Sequence, residues 1–133
     1  MEVTYEWRGR FEDDELNRLH AEAFGHDLFD DHWVEQVERW SLGWVVARDE
    51  KGLVGFVNVP WDGALHAFVI DPMVASRAAR QSIGTRLIER ATAEARAAGC
   101  EWLHVDFDGE LSSFYLESCG FTPAKAGLID LRS

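Results

Sequence analysis

The stretch from Val69 to Phe107 constrains the fold more than any other part of the chain. His66 to Val74 reads as a strand, and Ala75 to Ser82 as a loop. From Ile83 to about Ala98 the apolar residues Ile83, Leu87, Ile88, Ala91 and Ala95 recur at helical spacing, and Gly99 ends the run. Trp102 to Phe107 follows as a second, mostly apolar strand, expected to be covered on both faces. A strand–helix–strand step of this length takes a right-handed crossover and leaves its two strands parallel.

Upstream the connections are too short for that. Trp44 to Arg48 and Leu53 to Val59 are strands joined by Asp49-Glu50-Lys51-Gly52, and Trp61-Asp62-Gly63 turns into the strand at His66. Tight turns join antiparallel neighbours, so this part is a meander. Val3 to Trp7 alternates as a first strand. Leu16, Leu19, Ala23 and Phe24 then mark a helix that Gly25 stops, with Glu12, Asp13 and Asp14 at its positive end. A second helix, capped by Asp30 or Asp31, presents Trp33, Val34, Val37 and Trp40 on one face. After Phe107 come a short helix from about Leu111 to Ser118, then Gly120-Phe121, and a last strand at Leu128 to Leu131. No linker or repeat interrupts the order, so residues 1–133 are read as one mixed α/β domain.

Charge narrows the function classes. Lys and Arg total 13 against 24 Asp and Glu, a net charge of -11. A duplex-binding protein gains affinity by neutralising phosphates, so nucleic acid is excluded as a partner. The apolar stretches fall short of a membrane span, and the N-terminus lacks a basic flank and apolar run. Two cysteines, Cys100 and Cys119, are too few for a disulfide framework, so a cytoplasmic location is expected. Arg77, Arg80, Arg86 and Arg90 cluster within this acidic chain and suggest one local anion site.

That cluster surrounds Arg80-Gln81-Ser82-Ile83-Gly84-Thr85-Arg86-Leu87, where a strand gives way to a helix. Exposed amides and the positive dipole end make a helix start an anion site, and small residues allow close approach. Here the chain resembles the GNAT N-acetyltransferase superfamily. The resemblance rests on Leu53-Val54-Gly55-Phe56-Val57 in the meander, Met73-Val74, Ile83-Gly84-Thr85 with Leu87, and Phe114-Tyr115 before Gly120-Phe121. It implies an acyl-CoA N-acyltransferase fold, with an antiparallel N-terminal meander and parallel central strands that splay apart between flanking helices.

The resemblance further implies that acetyl-CoA is the cosubstrate. Its diphosphate would lie on the loop of Arg80, Gln81, Ser82, Ile83, Gly84 and Thr85, and its pantetheine arm beside Met73 and Val74. Asp108 stands where many members carry an Asn. Two positions depart from the family loop: Ala79 takes the usual Gln or Arg position, and Ser82 replaces the first glycine. Tyr115 is the implied general acid, yet it stands one residue earlier than the usual Tyr, whose place falls on Leu116. One residue rotates a helix by roughly 100°.

For the base, Asp71 is favoured narrowly, with Asp106 next. His66 has the more suitable unperturbed imidazole pKa, while His104 shares its strand face with Asp106 but reads equally as a core residue. The acceptor pocket in this fold is usually walled by the first two helices, so His26 and Trp33, together with His66, are substrate-binding candidates. No metal-ligand spacing is present, and no metal is expected. The function expected is direct acetyl transfer to the primary amine of a small molecule. A non-catalytic acyl-CoA-binding protein and a peptide N-acetyltransferase stay open as alternatives, and the resemblance also admits a homodimer.

Overall fold

The fold comes from a computed structural model that describes residues 2–79 and 81–132. Its centre is a hairpin of two strands whose middles are wholly buried, β2 (Ser41–Asp49) and β3 (Gly52–Pro60). Asp49 forms the turn by accepting the Lys51 N–H through its side chain, and Gly52 supplies φ +125. β1 (Thr4–Trp7) adds antiparallel to β2. Val45, Val46, Val54 and Val57 suit strands covered on both sides, where β-branched side chains pack against the pleat.

Helices provide that cover. α1 (Asp13–Phe24) ends at Gly25 in the left-handed conformation, as its sequence predicts. α3 (Ile83–Ala97) packs on the opposite face, where a Cβ on Gly55 would stand 2.9 Å from Ile83. Phe56, the next residue, meets Phe11 and Trp33 on the α1 side. Burying a ring of that size contributes roughly 1.5–3 kcal/mol. α2 (Trp33–Trp40) departs from expectation at both ends. Neither Asp30 nor Asp31 caps it; Asp13 of α1 instead accepts the Val34 N–H at 2.8 Å. Trp40, expected on the buried face, is 65% exposed.

The strand expected from His66 to Val74 is divided. Its first part, β4 (His66–Phe68), pairs in parallel with β6 (Trp102–His104), and the Val69 N–H makes the last rung to the His104 carbonyl. Its second part, β5 (Ile70–Val74), is the fourth strand of the meander sheet, antiparallel to β3. Asn58 faces Ile70 and Phe56 faces Met73, so β5 carries one more residue than β3 over this span. Asp71, at φ +55, takes up the difference as a bulge, and bulges bend strands. β4 and β5 thus serve different neighbours, and the chain parts from its parallel partner beyond Val69.

Two strand assignments are corrected. Trp102 to Phe107 is strand only to His104, and Trp102 is 64% exposed, so the segment is not covered on both faces. Leu128 to Leu131 alternates like a strand but pairs with nothing among the described residues and lies exposed. Among the described residues, no helix is long and apolar enough to cross a membrane.

Candidate active site

Where the strands part, a cleft of about 930 Å³ opens between residues 71–74 and residues 105–108. Gly84 and Leu87 of α3 and the ring of Tyr115 close it inward, and Phe24 reaches it from α1. Of the sequence candidates, Asp71, Met73, Val74, Gly84, Asp106, Asp108 and Tyr115 all line this space. Its ionisable side chains are three aspartates and the phenol; no cationic side chain lines it among the described residues.

Gln81, Ser82, Ile83 and Thr85 stand at the adjoining start of α3. The first helical bond there runs from the Arg86 N–H to the Ser82 carbonyl, so the amides of Ile83, Gly84 and Thr85 precede the hydrogen-bonded ladder. Ser82 sits at φ +59 and ψ 23, a conformation that glycine adopts more easily, and its exposed side chain makes no capping bond. A Cβ on Gly84 would stand 3.3 Å from Phe114, so glycine lets α3 lie close to the last turn of the site. Arg80 lies outside the described residues. Two other arginines of the basic cluster have structural partners. Arg77 grips Asp49 through both nitrogens, at 2.6 and 2.9 Å, and holds that carboxyl down to about 2. Arg90 bonds Glu94 and the Tyr5 carbonyl.

Tyr115 owes its place to an irregular helix. Residues 113–118 form a π-helix, and its ring stacks on Phe107 at 4.9 Å. Burial pushes the phenol up from its ordinary value, with Cys119 and Asp106 adding to the rise. Asp71 is also raised by burial, opposed by the charge of His20.

The three substrate-binding candidates are not brought into the cleft. His66 lies on β4, before the strands part, with Nδ1 2.8 Å from His104 Nε2. Trp33 is buried and donates its indole N–H to Asn17 at 2.9 Å. His26 stacks on Phe29 at 4.1 Å and contacts His20. His20 itself carries no motif. The available signal was its spacing, four residues after Leu16 and four before Phe24, which puts it on the inward face of α1.

Parallel neighbours that separate around a cleft, with a helix start at its side, define the fold of an acyl-CoA N-acyltransferase. The chain belongs to the acetyltransferase (GNAT) family, whose model matches residues 4–121, and it is an N-acetyltransferase. Solved structures agree over nearly the whole length. The GNAT family protein SP0256 from Streptococcus pneumoniae TIGR4 is 20% identical with TM-score 0.78, covering 99% of this chain and 100% of that one. Glucosamine-6-phosphate N-acetyltransferase from Arabidopsis thaliana is 16% identical with TM-score 0.76, covering 98% and 99%. AAC(6')-Iy, solved with the bisubstrate analogue CoA-S-monomethyl-acetylneamine, is 13% identical with TM-score 0.79, covering 100% and 99%. At such identities the likeness is one of fold. No curated protein matches the chain.

Proposed function

We propose that the protein transfers an acetyl group from acetyl-CoA directly to the primary amine of a small cationic molecule. One observation carries the choice of acceptor: the cleft presents Asp71, Asp106 and Asp108 and, among its described lining residues, no cation. Low-dielectric walls lined by one sign of charge concentrate the opposite sign, here an ammonium. Two of the fold relatives carry amine acceptors in their names or ligands, a sugar phosphate and an acetylneamine.

The residues present fit acetyl-CoA. The amides of Ile83, Gly84 and Thr85, which have no partner among the described residues, suit the diphosphate, and the open side of β5 at Met73 and Val74 suits the pantetheine arm. Bound there, acetyl-CoA supplies an acetyl group already activated as a thioester. The chain's own residues manage the protons. Asp71, with Asp106 as the other carboxylate of the cleft, takes the proton that frees the amine's lone pair. Tyr115, kept protonated by its raised pKa, donates to the departing sulfur.

Calorimetric titration with acetyl-CoA, followed by thiol release with a panel of primary amines, tests this. Binding and amine-dependent thiol release are expected. An absence of binding at millimolar acetyl-CoA would refute the proposal, and binding without thiol release would leave a non-catalytic acyl-CoA protein.

A further inference from the structure

Two kinds of side chain line the cleft. Asp71, Asp106, Asp108 and the Tyr115 phenol are its polar side chains among the described residues, and every other lining side chain there is apolar or, at glycine, absent. A small-molecule site places a few polar groups among apolar walls, and the polar groups present state what the ligand must carry.

The cleft is not uniform along its length. A Cβ on Gly84 would stand 4.0 Å from Val74 and 3.3 Å from Phe114, so Val74 borders the start of α3, where the diphosphate of acetyl-CoA is proposed to lie. Two large apolar side chains enter from other elements. Phe24 is the last residue of α1, and Leu111 comes from the turn of residues 109–111. Phe24 is 52% exposed and Leu111 44%, apolar surface that the chain leaves open to the cleft. Both are supported from behind. The Phe24 ring rests on His20 at 4.6 Å, and His20 on the buried Trp33 at 5.4 Å. The Leu111 N–H bonds the Asp108 carbonyl at 2.8 Å, so one turn sends a carboxylate and an isobutyl group into the cleft together.

We propose that the acceptor is a lipophilic amine, an ammonium on an alkyl or aryl body, with Phe24 and Leu111 as the residues that select the body; this rests on the amine-acetylating reading above. The aspartates take the ammonium, and Phe24 and Leu111 cover hydrocarbon that would otherwise meet water. A carboxylate or phosphate on the acceptor would face like charges. Sugar hydroxyls would give up water for walls whose side-chain partners are the three carboxylates and one phenol already engaged. Amino acids, sugar phosphates and polyhydroxylated amines are therefore poor acceptors.

Steady-state kinetics with acetyl-CoA tests this on four primary amines. They are hexylamine, 2-phenylethylamine, 6-aminohexanoate and glucamine, the last being hexylamine with a hydroxyl on each remaining carbon. A kcat/KM at least about tenfold higher for the first two is expected. Glucamine or 6-aminohexanoate turned over as well as hexylamine overturns the proposal. Phe24→Asn and Leu111→Asn, both at partly exposed positions, should each lose about fivefold or more in kcat/KM for 2-phenylethylamine and leave glucamine within about twofold. Equal losses for the two amines refute the selecting role. Calorimetry of trimethyl(2-phenylethyl)ammonium against choline, cations with no N–H to replace, reads the same preference without turnover. Binding about tenfold tighter for the phenyl cation, with a negative heat-capacity change and loss in Phe24→Asn, is expected. Equal affinities, or binding of neither, overturn the proposal. Should wild type acetylate no amine, the functional reading fails, while this pair of titrations still decides which ligand the cleft prefers.

Discussion

The backbone N–H of Cys119 donates to the carbonyl of Phe114, five residues back, at 2.9 Å. A step of five inserts one residue into the turn of a helix. That extra residue lies between Phe114 and Cys119, and Tyr115 rather than Leu116 reaches the cleft. If its phenol is the acid that protonates the leaving sulfur, Tyr115→Phe should lower kcat by about a hundredfold or more and leave the Kd for acetyl-CoA nearly unchanged. The alkaline limb of the pH profile, placed above the ordinary phenol range by burial, should vanish as well. A variant with full kcat would show that the ring serves packing alone.

Ser82 occupies a left-handed conformation at φ +59 where the family loop has glycine. A side chain in that region costs roughly 1–2 kcal/mol, and glycine returns part of it through greater freedom of the unfolded chain. Ser82→Gly should therefore stabilise by about 0.5–1 kcal/mol, raising Tm by a few degrees in calorimetry. Tighter acetyl-CoA binding should accompany it. An unchanged Tm would mean that surrounding contacts already offset the strain.

The sequence carried the meander, the crossover and the helix at Ile83, because alternation and helical spacing are local signals that burial then reinforces. The splay was not legible in the same way. It depends on Asp71 leaving the regular strand conformation, and a polar residue before Pro72 reads equally well as a strand end. The C-terminal strand failed for the opposite reason: Leu128, Ile129 and Leu131 have strand propensity, but a strand also needs a partner edge. In the site, the carboxylates and Tyr115 were visible as residue types at expected places. His20 was not, because a single imidazole on a helix acquires meaning only from its neighbours, here His26, which another segment brings within 2.6 Å.

Burial raises the Asp71 carboxyl above its ordinary value of 3.8. A carboxyl raised on folding costs stability once it ionises, so its contribution falls as pH climbs from about 4 through the raised value. Asp71→Asn removes the charge, and Asn tolerates φ +55 about as well as Asp. The variant should match wild type in Tm near pH 4 and exceed it at pH 7, while kcat falls by about a hundredfold or more. A Tm difference independent of pH would show that the carboxylate is not desolvated in the folded protein.

Asn17 is buried and holds the α1–α2 link to α1 through three bonds. Its amide donates to the Asp31 carbonyl at 3.0 Å, and its oxygen accepts the Asp31 N–H at 3.3 Å and the Trp33 indole N–H at 2.9 Å. Asn17→Ala would leave the buried indole N–H without its acceptor and open a small cavity. Each lost partner in such a place costs about 1–3 kcal/mol, so a total near 3 kcal/mol is expected. Urea unfolding should show a lower midpoint with an unchanged m-value. Because this link packs on α1, whose Phe24 reaches the cleft, KM for the amine should rise more than KM for acetyl-CoA, whose proposed contacts lie at α3 and β5. Equal increases would place the acceptor away from this link and move the search to the other end of the cleft.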